Sequence, residues 1–256
     1  MSDDPPAVQC LQALERDMQK HINYRPRADE DPVEIYVLDD HNAFAHFLKF
    51  HFPELPPRRA FFLAQGSRRV VYTYSSPRLE EDLRHEATHA LLRGAYGDLP
   101  LWLDEGLAEY FEKDLTRTSP GHERVDHLAD DLRRGWAPNI TRLEALADIR
   151  EMTPRDYREA WAWVDLFLNG PTAERSTFLA ALETLKGEPT QFRLEDKGAN
   201  NERLVAHIKD LQSRSLTIAA PVADSAVRLQ DKSAETPAVV ASQRGFWRRL
   251  RTWIGL

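Results

Sequence analysis

Sulfur is nearly missing from this chain of 256 residues, which has one cysteine, Cys10, and three methionines. A lone cysteine excludes an intramolecular disulfide, so sulfur says nothing about the compartment. Long apolar runs are missing too. No stretch approaches the roughly 20 apolar residues that a membrane-crossing helix needs. Positive charge is not in excess: 34 Lys and Arg stand against 41 Asp and Glu, a net charge of −7 that argues against a general nucleic-acid binder. The first residues, Met1 to Pro6, are acidic and lack the basic and apolar segments of a secretory signal, so the sequence as it stands reads as cytoplasmic. A start further upstream would change that reading to export.

What is present suffices for a packed core. Hydrophobic residues make up 42% of the chain, and its length suits one good-sized domain with a tail. The reading divides it into a domain over 1–212, a flexible linker over 213–243 and a basic amphipathic tail helix over 244–256. Within the domain, a sheet and two chemistry-bearing helices occupy about 30–113, and helices fill about 114–212.

The chemistry centres on His85-Glu86-Ala87-Thr88-His89. On a helix, positions i and i+4 share a face, so the two imidazoles can bind one metal ion from the same side. Glu86 can then reach a water at the ion's open position. Leu79, Leu83, Ala87, Ala90, Leu91 and Leu92 give the flanks helical spacing and an apolar face. Ser76-Pro77 reads as an N-cap followed by Pro at the first helical position, and Gly94 as the C-terminal stop. A second helix opens near Pro100 and carries Leu101 to Glu112, with Glu105 and Glu109 one turn apart. The short connection makes the two helices neighbours, so a carboxylate can complete a His2Glu site for Zn2+.

The pairing of H-E-x-x-H with Trp102-Leu103-Asp104-Glu105-Gly106-Leu107-Ala108 resembles the gluzincin clan of zinc metallopeptidases. The longer run to Phe111 is similar to that of bacterial gluzincin-like domains. The resemblance covers about 33–170 and is most specific over 85–112. It implies a zincin-like α+β fold, with a small, mostly antiparallel N-terminal sheet on the motif helix and an all-helical C-terminal half. It also implies that His85, His89 and Glu105 are the metal ligands, that Glu86 is the general base, and that Glu109 orients a ligating His. The stretch from His89 to Glu105 is a few residues shorter than in the best-known members, which implies a tighter turn.

Strands are expected at 33–38, 59–64 and 69–74, the last two joined by the turn Gln65-Gly66-Ser67-Arg68, with a helix over 43–50 capped by Asp39-Asp40. An opening amphipathic helix spans 8–22. In the clan an edge strand beside the motif helix binds the substrate backbone. Val70 to Tyr74 is the candidate here, weighed equally against an ordinary core strand. His41, His46 and His51 are five apart, share no helix face and form no second metal site. His122 and His127 read as surface residues.

Further helices are expected at 123–134, at Thr141 with a capping box to Glu144, at 153–168, at 175–186 and at 201–211. Tyr157 and Ala160 match the clan's pattern of a Tyr opening a helix with a small residue three positions on. That match implies that the Tyr157 hydroxyl stabilises an oxyanion, with a structural Tyr as the plainer reading and Tyr110 as the competing candidate. At the far end, Phe246, Trp247, Leu250, Trp253 and Ile254 share one side of a helical wheel, opposite Arg248 and Arg251. That pattern fits an interfacial membrane anchor or a partner-docking helix, or else a segment folded back on the domain.

The expected activity is zinc-dependent hydrolysis of peptide bonds, in endopeptidase or aminopeptidase mode. A non-catalytic, zinc-stabilised adaptor tethered by its tail and a zinc hydrolase acting on another bond both stay open.

Overall fold

Val33 and the alternating run behind it start the sheet. In this computed structural model, which describes residues 5–113, 122–185, 200–219 and 249–251, strand β1 (Glu34–Leu38) buries Ile35 and Leu38. Helix α2 (His41–His51) follows, and its first turn is closed by Asp40, whose side chain accepts from the Ala43 amide at 2.9 Å. A hairpin comes next: β2 (Phe61–Gln65) pairs antiparallel with β3 (Arg68–Tyr74), and Gly66 supplies a positive φ of 61° in the two-residue loop.

β3 then pairs with β1 in parallel, from Glu34 opposite Val70 to Leu38 opposite Tyr74. The connection through α2 and β2 is what permits parallel pairing. The sheet is therefore mixed, with one parallel pairing and two antiparallel ones. β3 is an inner strand beside β1, not an edge, and among the described residues the free edge beside the helices belongs to β2. The run Val70-Val71-Tyr72-Thr73-Tyr74 is buried on both faces, as a central strand must be.

Arg249–Arg251 form a short strand, β4, antiparallel to the other side of β1. These three residues are extended where a helix was expected. An edge of β1 with unpaired amides and carbonyls accepts such a strand. The rest of 244–256 lies outside the described residues.

The sheet has a helix on each face. Phe44 and Leu48 of α2 pack on Leu38, Phe61 and Tyr74 in a small aromatic core. On the other face, α3 (Leu79–Tyr96) joins the main core. α3 starts two residues after Ser76-Pro77, with Arg78 as its cap residue and no side-chain cap. Ser76 Oγ instead accepts from the Arg78 amide at 3.1 Å in the turn before it. Nor does Gly94 end the helix. Gly97 does, with φ at 79°. Gly94 is small for another reason: a Cβ there would collide with the buried pair of Glu30 and Arg69. Arg69 crosses the helix at that point and donates to the Ala90 carbonyl at 2.9 Å.

α1 (Pro6–Ile22) lies across α3 and is tied to it by Asp17, which accepts from the fully buried Arg84 at 2.7 Å. The helical half is built on α4 (Leu101–Phe111) and α7 (Pro154–Asn169). α7 is buried without a break from Glu159 to Leu168, so neighbours must surround it. They are α4, α5 (His122–Arg133), α8 (Thr172–Thr184) and α9 (Asn201–Ala219). α6 (Ile140–Ala145) is capped by Asn139, whose side chain accepts from the Arg142 amide, and not by Thr141. α9 runs on into the stretch expected to be linker, and 220–243 lies outside the described residues. No helix among the described residues is long and apolar enough to cross a membrane.

Candidate metal centre

α3 brings His85 and His89 to one face, as their spacing requires, and the rings meet edge to face with centroids 5.1 Å apart. Their Nε2 atoms are 3.4 Å apart. A four-residue turn, 97–100, returns the chain, Pro100 opens α4, and Glu105 arrives in its second turn. Glu105 Oε2 lies 3.7 Å from His85 Nε2 and 3.8 Å from His89 Nε2. A point equidistant from these three atoms is about 2.1 Å from each, the length of a zinc–imidazole or zinc–carboxylate bond. A tetrahedral ion asks for ligand atoms about 3.4 Å apart, so the trio needs to contract by only a few tenths of an ångström.

Behind each imidazole stands a carboxylate. His89 Nδ1 is 2.9 Å from Asp104 Oδ2, and His85 Nδ1 is 3.2 Å from Glu112 Oε2. Such partners fix the tautomer that points Nε2 at an ion. Glu109, expected in that role, does not fill it. Its carboxylate pairs with Arg124 of α5 at 2.7 Å, and Arg124 also binds Glu112. Glu105, Glu109 and Glu112 follow one another at i, i+4 and i+7, and the last of them reaches His85. His85, Glu109 and Glu112 form a second cluster of ligand atoms, but it shares His85 and its acids are already held by Arg124.

The electrostatics of the trio favour a cation. Burial pushes both imidazoles down, yet Glu105 and Glu112 lift His85 well above the ordinary value, and Asp104 and then Glu105 lift His89 to about 9. Burial raises the Glu105 carboxyl, but the two imidazoles outweigh it and hold it low. Glu86 sits half-buried beside the trio, and among the described residues its carboxylate makes no hydrogen bond or ion pair.

Tyr157 comes from α7, and helix packing puts it there. Gly106 of α4 faces the backbone of Ala160, where an added Cβ would lie 2.8 Å from the Ala160 carbonyl oxygen. Tyr157 is one turn before Ala160, on the same face of α7. Burial, then Glu105 and Glu109, push its hydroxyl up to about 12, so it stays a proton donor. Tyr110 points elsewhere. Its oxygen accepts from Asn169 Nδ2 at 3.1 Å and approaches His21 Nδ1 at 3.4 Å on the far side of α4.

The other histidines take no part. His41 rests edge-on to Tyr74, His51 packs in the Phe47, Phe50 and Phe52 cluster, and among the described residues neither these nor His46 belong to a group that could hold a metal. His127 is exposed, and the His122 side chain lies outside the described residues.

Sequence reasoning missed Asp104, Glu112, Arg124 and Arg58. The i+7 relation of Glu105 to Glu112 was available as a signal. Arg124, from a separate helix, offered none. Arg58 lies in the loop before β2, and its charge is felt at Glu105 and at the Tyr157 hydroxyl. No family model and no curated protein matches this chain.

Proposed function

We propose that the chain is a zinc-dependent metallopeptidase-like hydrolase of the gluzincin type, with a zincin-like fold. The observation that carries the reading is the triangle of His85 Nε2, His89 Nε2 and Glu105 Oε2, with sides of 3.4, 3.7 and 3.8 Å. Zinc bound there would supply a Lewis acid that acidifies water and polarises a carbonyl. Glu86 takes the proton of the attacking water and passes it to the departing amine as the peptide C–N bond breaks. Tyr157 donates its hydroxyl to the carbonyl oxygen as charge develops on it. Asp104 and Glu112 accept the Nδ1 protons and hold the imidazoles in place.

The substrate backbone lies along the free edge of β2, the strand that takes over the role expected of Val70 to Tyr74. An adaptor in which zinc is purely structural has no use for an unpaired Glu86, and that residue favours the enzyme.

The test is metal content by elemental mass spectrometry beside cleavage of a mixed peptide library. Wild type is expected to hold about one zinc per chain and to cleave, since one His2Glu site with an open position is present. Glu105→Ala loses the metal. Glu86→Gln keeps the metal and loses turnover. No zinc in wild type after reconstitution overturns the reading, and cleavage undiminished in Glu86→Gln overturns the mechanism.

A further inference from the structure

A cleft of about 620 Å³ opens between α2 and the loop that leads into β2. Its walls are apolar: Ala45 and Leu48 from α2, Leu55 from the loop and Tyr74 at the end of β3. Its size is that of a site for a small ligand or a large side chain. The Lys and Arg side chains that line it carry charge of one sign, and no Asp or Glu lines it. Lys49 and Arg58 line it, and among the described residues neither has an ion-pair or hydrogen-bond partner. Arg59, beside them, is already engaged by Asp82 at 2.8 Å. Two unpaired cations at an apolar mouth, in a chain of net charge −7, call for an anionic partner group.

Strand β2 links the loop that walls the cleft to the candidate centre. Arg58 lies three residues before β2, and its charge is felt at Glu105 and at the Tyr157 hydroxyl. At the other end of β2, Phe62 and Ala64 line a recess of about 300 Å³ with His89, Arg93, Asp98 and Asp104. That recess is polar, with charges of both signs. A peptide laid on the free edge of β2 would span both ends, since six residues of strand cover about 20 Å. The two ends therefore select different chemistry.

We infer that this cleft selects the substrate: it takes a large apolar side chain, and Arg58, with Lys49 beside it, pairs with a carboxylate next to that side chain. The inference rests on the peptidase reading of the metal centre and names the substrate class for it, peptides with an apolar residue flanked by an acidic one.

The test uses full-length Glu86→Gln protein, so that binding is read without turnover. Fluorescent acetylated peptides of equal length carry a Phe flanked by Asp, a Phe flanked by Lys, or a Ser flanked by Asp, and anisotropy gives their Kd. The Phe–Asp peptide is expected to bind about tenfold or more tightly than either of the others, as a paired charge and a filled pocket each allow. Adding Arg58→Glu should abolish or reverse the Asp-over-Lys preference. Adding Ala45→Trp, which fills the cleft from an exposed helix position, should abolish the Phe-over-Ser preference.

Equal binding of the three peptides, or preferences that survive both substitutions in folded protein (circular dichroism), overturns the inference. Zinc content of the same preparations reports on the metal reading separately. Protein without zinc but with the peptide preferences intact would fail that reading alone.

Discussion

Glu109 and Glu112 differ by less than a turn of helix, and what each touches separates them. Glu112 reaches His85 Nδ1, while Glu109 is spent on Arg124. Carboxylates behind a ligating imidazole are worth about tenfold to a hundredfold in metal affinity. Glu112→Gln should weaken zinc binding by that factor in competition with a chromophoric chelator, and Glu109→Gln by clearly less. Equal losses would return the positioning role to Glu109. The sequence made the cluster of candidate residues legible, because the helix repeat puts His85, Glu86 and His89 within one turn and the resemblance adds Glu105. It could not choose between the two acids, since the choice depends on Arg124, brought in by α5.

A second residue, Glu159, is read through pH. It is 1% exposed and accepts from the Asn139 amide at 2.9 Å. Burial lifts its carboxyl from 4.5 to about 7, against the pull of that amide. A carboxyl raised in the folded state contributes stability that is full below the unfolded value and fades as pH climbs through about 7. Glu159→Gln removes the dependence and keeps the acceptor. The variant should gain stability relative to wild type between pH 4.5 and pH 8, by roughly 3 kcal/mol at most, measured by urea unfolding at both pH values. A relative stability that does not change with pH would show that Glu159 keeps an ordinary value.

Among the elements, the pair α4 and α7 decides whether Tyr157 serves the centre. Their approach depends on Gly106, where a Cβ would press on the Ala160 backbone rather than on a movable side chain. Gly106→Ala should therefore cost about 1–3 kcal/mol by overpacking, read from the denaturation midpoint. It should also lower kcat more than it changes zinc content, because Glu105 stays on α4 while Tyr157 is pushed away. A stable variant with unchanged kcat would mean that α7 does not position Tyr157.

Helix existence within 1–212 was legible from apolar periodicity, whereas 249–251 form a strand where a helix was expected, and the capping box that forms joins Thr153 and Asp156 of α7 rather than Thr141 and Glu144. Ends were less so. Ser76, Gly94 and Thr141 look like terminal residues, yet Gly94 is small to let Arg69 and Glu30 pass, a contact between segments far apart in sequence. The place of β3 stayed open between a substrate-binding edge and a core strand for the same reason. Its continuous apolar run fits a central strand, but only the parallel partner β1 fixes that.

Across the whole molecule, the centre joins parts that the sequence keeps apart. α3 belongs to the sheet, α4 leads into the helical half, and α1 is pinned beneath both through Asp17, Arg84 and the Phe111 carbonyl, which accepts from Arg84 Nε at 2.8 Å. An ion held by His85, His89 and Glu105 would bridge α3 and α4 at the seam. Binding to the folded state alone adds about 2.7 kcal/mol when free metal is a hundred times Kd. For a domain of this size that corresponds to roughly 5–10 °C in Tm. Removing metal with a chelator should lower the wild-type Tm by that amount, and added zinc should restore it. Glu86→Gln should respond like wild type, because Glu86 is no ligand, and Glu105→Ala should barely respond. A chelator effect of equal size in Glu105→Ala would place the stabilising ion somewhere other than the seam between α3 and α4.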